Sequence, residues 1–295
     1  MAEQLVAVRI VRDDGETFDI DGETWRIPND GLENWANLPH AVEVKQNASY
    51  DGGTVTNTRI ESVDRSIKAE LRDPAGNARW RAAAIRFFNP KHTFACYLTY
   101  LGRTRWCEGY QYGFSCDAGN VYQPVSFDWT ILSPMPYLLS VDDFGKDVAR
   151  VLGKFGFPMH SVVQAPRGVY ARGHVMGVNE FGKVVELEND GDVDAYPRVT
   201  VRATGKVVNP RIELSGAWVR ILDEAKAGDV YTVDFTARPP RIEKNGENAI
   251  HLADRGSSFT GMAVPVGGGA FEYAADEGEV NMSVTVSYHK RYLGI

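Results

Sequence analysis

Residues 191–214 read GDVDAYPRVTVRATGKVVNPRIEL, and their pattern decides the fold class. From Arg198 onward apolar and polar side chains alternate, with Val199, Val201 and Ala203 on one side and Thr200 and Arg202 on the other. That is the period of a strand with one buried face. Thr204-Gly205 interrupts the run and Asn209-Pro210 breaks it again, after which Ile212 and Leu214 resume the alternation. The same grammar extends in both directions. KVVELEN precedes the stretch, and WVRILDE, YTVDFTA, RIEKN, GAFEYAA and NMSVTVSYHKRYLGI follow it as short runs separated by Gly, Pro, Asn or Asp. Many short strands at such spacing predict a two-sheet antiparallel sandwich over residues 169–295. Asn245-Gly246 supplies the positive φ angles of a tight hairpin between two of these strands. Trp218, Tyr231 and Phe235 are expected to fill the space between the sheets.

The first part of the chain also reads as β. DGETFDI and DGETWRI form a near-repeat in which Asp-Gly marks a turn. Phe18 with Ile20, and Trp25 with Ile27, are placed on one side of a sheet. Alternating segments from Ala41 to Lys45 and from Thr54 to Arg72 flank the polar tip QNASYDGG, a long hairpin. One helix is predicted over about 74–88. Asp73 caps it, Pro74 suits its first turn and Asn89-Pro90 stops it. Trp80, Ala84, Ile85 and Phe88 are expected to bury one side of it. HTFACYLTYL and RWCEGYQYGF bracket a turn at Gly102-Arg103, which brings Cys96 and Cys107 near each other across two strands. These runs give an N-terminal β domain over 1–138. A connection without sustained period follows at 139–168, then the sandwich at 169–295.

Composition narrows the function classes. A net charge of −7 over 295 residues argues against sequence-independent nucleic-acid binding. No run approaches the length of a membrane span, and the N-terminus lacks the pattern of a secretory leader. The three cysteines form no Cys-x-x-Cys pair and read as small buried or half-buried thiols. DGDVD at Asp190, Asp192 and Asp194 begins like a calcium loop. Ala195 stands where glycine is needed, however, and Val201 where a bidentate Glu is needed, so it reads as a charged hairpin loop. The six histidines lack metal-ligand spacing. No catalytic, metal or cofactor-binding set emerges, and no cofactor is expected.

With those residues in place, a family resemblance follows. Gly191-Asp192, Tyr196-Pro197, Thr204-Gly205, Asn209-Pro210, Ala227-Gly228-Asp229, Asn245-Gly246 and the closing Arg291-Tyr292-Leu293-Gly294 occur in an order that resembles the siphophage distal tail protein family. FFNPK after the helix and FDWTILSPMPYLLS before the connection match more loosely. The resemblance implies a mostly β chain. Its ring-forming N-terminal β domain carries a belt hairpin and one helix, and a galectin-like antiparallel β-sandwich follows. It also implies a structural protein of the virion tail, assembled in the host cytoplasm, that forms a homo-hexameric ring at the end of the tail tube. Its partners would be the major tail tube protein, a tail-tip or tail-associated lysin hub protein, and receptor-binding proteins at the periphery. Gln46, Asn47, Tyr50, Asp51 and Thr54 of the belt hairpin are the subunit-contact candidates, with the helix as a brace behind them. The alternative is a glycan-binding adhesin or receptor-binding module, which would need exposed aromatics in a groove.

Overall fold

The computed structural model describes residues 6–49, 51–116, 122–147, 149–153, 177–181 and 184–295. The chain is mostly β and divides into two units, Met1–Val141 with Arg291–Ile295, and Asp142–Lys290.

The first unit holds β1 (Val6–Arg12), β2 (Thr17–Ile20), β3 (Trp25–Arg26), β4 (Leu32–Glu33), β5 (His40–Gln46), β6 (Gly53–Ile60) and β7 (Val63–Leu71). After these come α1 (Asn77–Phe87), β8 (Thr93–Tyr100), β9 (Arg103–Cys116), β10 (Ser126–Ser133) and β11 (Leu138–Ser140). One antiparallel sheet runs in the order β2-β1-β8-β9-β10-β7-β3, with β4 beside β7 and β11 beside β9. Strict alternation sets its inner side. Along β7, Val63, Arg65, Ile67, Ala69 and Leu71 are buried while the residues between them are not. The core is aromatic. Phe88 sits at its centre, with ring centroids 5.3 Å from Phe18, 5.2 Å from Phe127 and 5.1 Å from Trp129.

The helix begins after a single 3-10 turn at Pro74–Gly76, where Asp73 Oδ1 accepts from the Ala75 amide at 2.9 Å. Its buried side is Ala84 and Phe87, with Phe88 following at the cap. Ile85, expected inside, is 44% exposed. Positions 80, 84, 87 and 88 follow the i, i+4, i+7 row, whereas 85 is turned about 100° away from 84. At the far end, the Arg12 guanidinium donates to the carbonyl of Phe87 at 3.1 Å and pairs with Asp14 and Glu16. A helix-terminal carbonyl is thereby satisfied by a side chain from β1.

The second unit holds β12 (Phe144–Asp147), β13 (Ala149–Gly153), β14 (Gly177–Phe181), β15 (Val184–Leu187), β16 (Arg198–Ala203), β17 (Val207–Val208), β18 (Arg211–Leu214) and β19 (Ala217–Arg220). It continues with β20 (Glu224–Ala225), β21 (Val230–Asp234), β22 (Arg241–Lys244), β23 (Glu247–Asn248), β24 (Gly269–Ala274) and β25 (Met282–Tyr288). Two antiparallel sheets, β12-β25-β16-β21-β22-β23 and β15-β24-β18-β19, share one core. Val199, Tyr231, Val233 and Val286 from the first meet Ile212, Leu214, Val219 and Phe271 from the second. The stretch that opens the sequence reading thus forms β16, β17 and β18. Asn245 and Gly246 have φ of 52° and 85° between β22 and β23, as a two-residue hairpin turn requires. Tyr231 and Phe235 are fully buried, as expected of core residues.

A last strand, β26 (Arg291–Tyr292), lies in the first unit, where it pairs with β11 through Leu138↔Tyr292 and Leu139↔Arg291. The Arg105 guanidinium covers the Tyr292 ring at 3.3 Å, and that of Arg291 covers Tyr137 at 4.9 Å. Within the expected connection at 139–168, residues 148 and 154–168 lie outside the described residues.

Candidate functional site

The feature of the first unit that its own core does not explain is the ribbon of β5 and β6. The two strands pair only with each other, in register from His40↔Ile60 to Gln46↔Gly53, with a bulge beside Glu43/Val44. Thr56 Oγ1 donates to the Glu43 carbonyl across the bulge at 3.1 Å, and the Asn47 amide donates to the Gly52 carbonyl at 3.2 Å at the tip. Nearly every side chain of the ribbon is exposed. A lone two-stranded ribbon is marginal in water, so one that persists needs a surface to lean on.

Its two sides differ chemically. Directly opposed residues of an antiparallel pair point the same way, which puts Val42, Val44, Val55 and Ile60 on one side. Glu43, Asn57, Lys45 and Thr54 lie on the other. The three valines are 47%, 49% and 54% exposed. Among the expected contact residues, Gln46, Asp51 and Thr54 are exposed at or near the tip and Asn47 is half-buried. Tyr50 lies outside the described residues. The tip residues are polar. The apolar side lies further down the strands, where the sequence reading did not look for it, although the alternation Val42-x-Val44 was there to be read.

Two concave places lie elsewhere. In the first unit a shallow groove of about 550 Å³ on the outer side of β1, β2 and β8 is lined by Ala7, Val11, Ile20, Tyr97 and Thr99 among others. In the second, a cleft of about 500 Å³ gathers Asp223, Lys244, Asn245, Glu247, Asn248 and His251 around the β22–β23 turn. Its charges are already matched internally. Lys244 Nζ lies 2.7 Å from Asp223 Oδ2 and 3.3 Å from Asp229 Oδ2, and the Tyr231 hydroxyl donates to Asp223 at 2.6 Å. The Lys226 amide and the Asn245 side chain hold Asp229 down at about 2. Burial, then the bond to Asp223, push the Tyr231 hydroxyl up to about 12. The Asp223 bond raises Lys244 above its ordinary value. Such a network fixes a turn. Of the three sandwich aromatics singled out in the sequence, Tyr231 and Phe235 are in the core, while Trp218 is half-buried with the Arg211 guanidinium 4.9 Å above its ring. Among the described residues no three His, Cys, Asp or Glu side chains converge as metal ligands. Asp190 of the expected charged loop pairs with Lys290 at 2.6 Å.

Over nearly its whole length the chain has the fold of the distal tail hub proteins of phages. It is similar to the crystal structure of the Dit protein of phage SPP1, described as a paradigm of the hub adsorption apparatus in phages infecting Gram-positive hosts. The TM-score is 0.64 at 10% identity, covering 96% of this chain and 98% of that one. It is also similar to chains of the phage P2 baseplate in its activated conformation, with Ca at TM-score 0.53 and 10% identity and with Sr at 0.53 and 9%. Each of these covers 98% of this chain and 99% of the other. No curated protein sequence matches. Residues 190–292 match the family model described as a siphovirus-type tail component, C-terminal domain.

Proposed function

We propose that this protein is the structural hub at the distal end of a siphophage tail. In this reading a homo-hexameric ring joins the major tail tube protein on one side to the tail-tip or tail-associated lysin protein on the other, and receptor-binding proteins attach at its periphery. It is a virion component assembled in the host cytoplasm, and its work is assembly rather than catalysis. The N-terminal domain forms the ring, and the C-terminal sandwich, galectin-like in architecture, lies after the connection. The observation that carries the proposal is a coincidence of two signals. The tail-component match at 190–292 falls on a chain whose whole length has the fold of the SPP1 hub.

The ribbon of β5 and β6 supports the ring. A closed ring repeats one contact around an axis, so a single projecting element on each subunit suffices to link all of them. The valine side of the ribbon is apolar surface that such a contact would bury, with Gln46, Asn47, Tyr50, Asp51 and Thr54 at its tip as polar contacts to the next subunit. Light scattering coupled to size exclusion, with negative-stain images, tests the proposal. Rings of six subunits with a central hole are expected, and a closed trimer would overturn the hub reading.

A further inference from the structure

The core of the first unit contains a group that packing does not call for. Arg65 on β7 is fully buried, and among the described residues no carboxylate pairs with it. One guanidinium nitrogen donates to the Pro136 carbonyl, while Nε and Nη1 find no hydrogen-bond partner. A buried cation left in this state is costly unless something nearby carries negative charge. The acidic groups that interact with it are the sulfurs of Cys107 and Cys96. Ser133, also fully buried, lies near Cys107.

The two cysteines are themselves paired. Cys96 on β8 stands directly opposite Cys107 on β9, and both are buried. Opposed residues of antiparallel strands point the same way with Cβ atoms about 4.5–5.5 Å apart. A disulfide needs about 3.5–4.5 Å, so a closure of about 1 Å suffices. Burial pushes both thiols up, but Arg65 and Ser133 draw Cys107 back down, whereas on Cys96 the neighbouring sulfur adds to the rise and Arg65 alone opposes it. Cys107 is thus the more readily ionised of the two. Cys116 has Phe127, not a cysteine, opposite it.

We propose that Cys96 and Cys107 form a peroxide-oxidisable dithiol, with Cys107 the attacking thiolate held by Arg65 and Cys96 the resolving thiol. The Cys107 thiolate attacks one oxygen of hydrogen peroxide, the O–O bond breaks, and Cys107 sulfenic acid and hydroxide result. Cys96 gives its proton to that hydroxide, forming water. Its sulfur then displaces hydroxide from the sulfenic acid as the S–S bond forms. Two thiols are oxidised by two electrons, and one peroxide is reduced to two waters once the Cys107 proton is counted. Access to the buried pair requires local opening, so the reaction is slow but selective.

The test uses the full-length protein. It is treated with hydrogen peroxide while folded, then unfolded, alkylated, digested and weighed. The expected product is a Cys96–Cys107 cross-linked peptide lighter than its parts by two hydrogens, with Cys116 alkylated. Three alkylated cysteines, or a cross-link involving Cys116, would overturn the proposal. In Cys96→Ser the resolving thiol is absent, and a dimedone adduct should accumulate on Cys107; an adduct on Cys116 instead would count against the assignment. Arg65→Met should slow cross-linking, because the Cys107 thiolate loses the neighbouring cation that favours it. An unchanged rate would remove Arg65 from the proposal.

Discussion

Replacing Val44 by Asp together with Val55 by Lys tests the ring contact with little risk to the protomer. The two positions are paired directly across the ribbon, so opposite charges placed there favour the hairpin itself. They are 49% and 54% exposed, which leaves about half of each side chain for a neighbour to bury. Full burial of a valine contributes at least about 1.5 kcal/mol, so the two halves together contribute about 1.5 kcal/mol to each subunit contact. Carrying that charged pair into the contact strips both groups of water and costs about 1–3 kcal/mol more. The sum, about 2.5–4.5 kcal/mol, weakens each contact by about two to three powers of ten. The protomer should stay within about 0.5 kcal/mol of its original stability, because neither side chain packs inside it. Light scattering across a dilution series reads the first effect, and a thermal melt of the dissociated protomer reads the second. Glu43→Gln and Asn57→Ala, on the opposite side, should leave the assembly intact. Rings from the charged variant at the original midpoint concentration would refute the reasoning. So would rings broken by Glu43→Gln or Asn57→Ala instead.

Further outcomes follow from single sites. A Cβ on Gly109 would stand 2.2 Å from the Leu132 carbonyl oxygen of the neighbouring strand, so Gly109→Ala should cost about 1–3 kcal/mol in urea unfolding, and a neutral result would contradict that strand spacing. Asp229 ionises at about 2 when folded against an ordinary 3.8, so the unfolded chain binds the proton first. The stability it contributes is complete above about pH 4 and lost as pH falls toward 2, and Asp229→Asn should flatten the melting temperature over that window. Tyr231 holds its proton to about 12 against an ordinary 10, so stability is lost as pH rises from 10 to 12. Burial also raises Tyr273 and Tyr288, so absorbance titration should show late-ionising tyrosine signal, and Tyr231→Phe should remove its latest part.

The strands of the second unit were legible because each buries one side against the other sheet and exposes the other. Val199, Val201 and Ala203 announce their side with no knowledge of their neighbours. Arg65 shows the limit of that reading. The alternation of VDRSIKAEL puts it on the buried side with Val63 and Ile67, but an arginine reads locally as a surface residue. What meets it there, the Pro136 carbonyl, the Trp35 ring and the Cys107 sulfur, comes from positions distant in sequence. The helix was legible to within a turn from Asp73 and Pro74. Which side it buries depended on the aromatic cluster around Phe88, and so Ile85 was misplaced.

The sequence alone determined the β class, the hairpin turn at Asn245-Gly246, the helix, the ribbon and the order of motifs shared with distal tail proteins. These follow from local conformation and from residue periods of two and 3.6, which a chain displays wherever it goes. Tertiary structure decided what distance along the chain conceals. Arg291 and Tyr292 return to pair with Leu138 and Leu139, Arg65 is buried under the Pro136 carbonyl, and a row of valines on β5 and β6 is left uncovered. Each of these depends on which strands become neighbours. That choice is made by the burial of whole sheet faces, and no single segment encodes it.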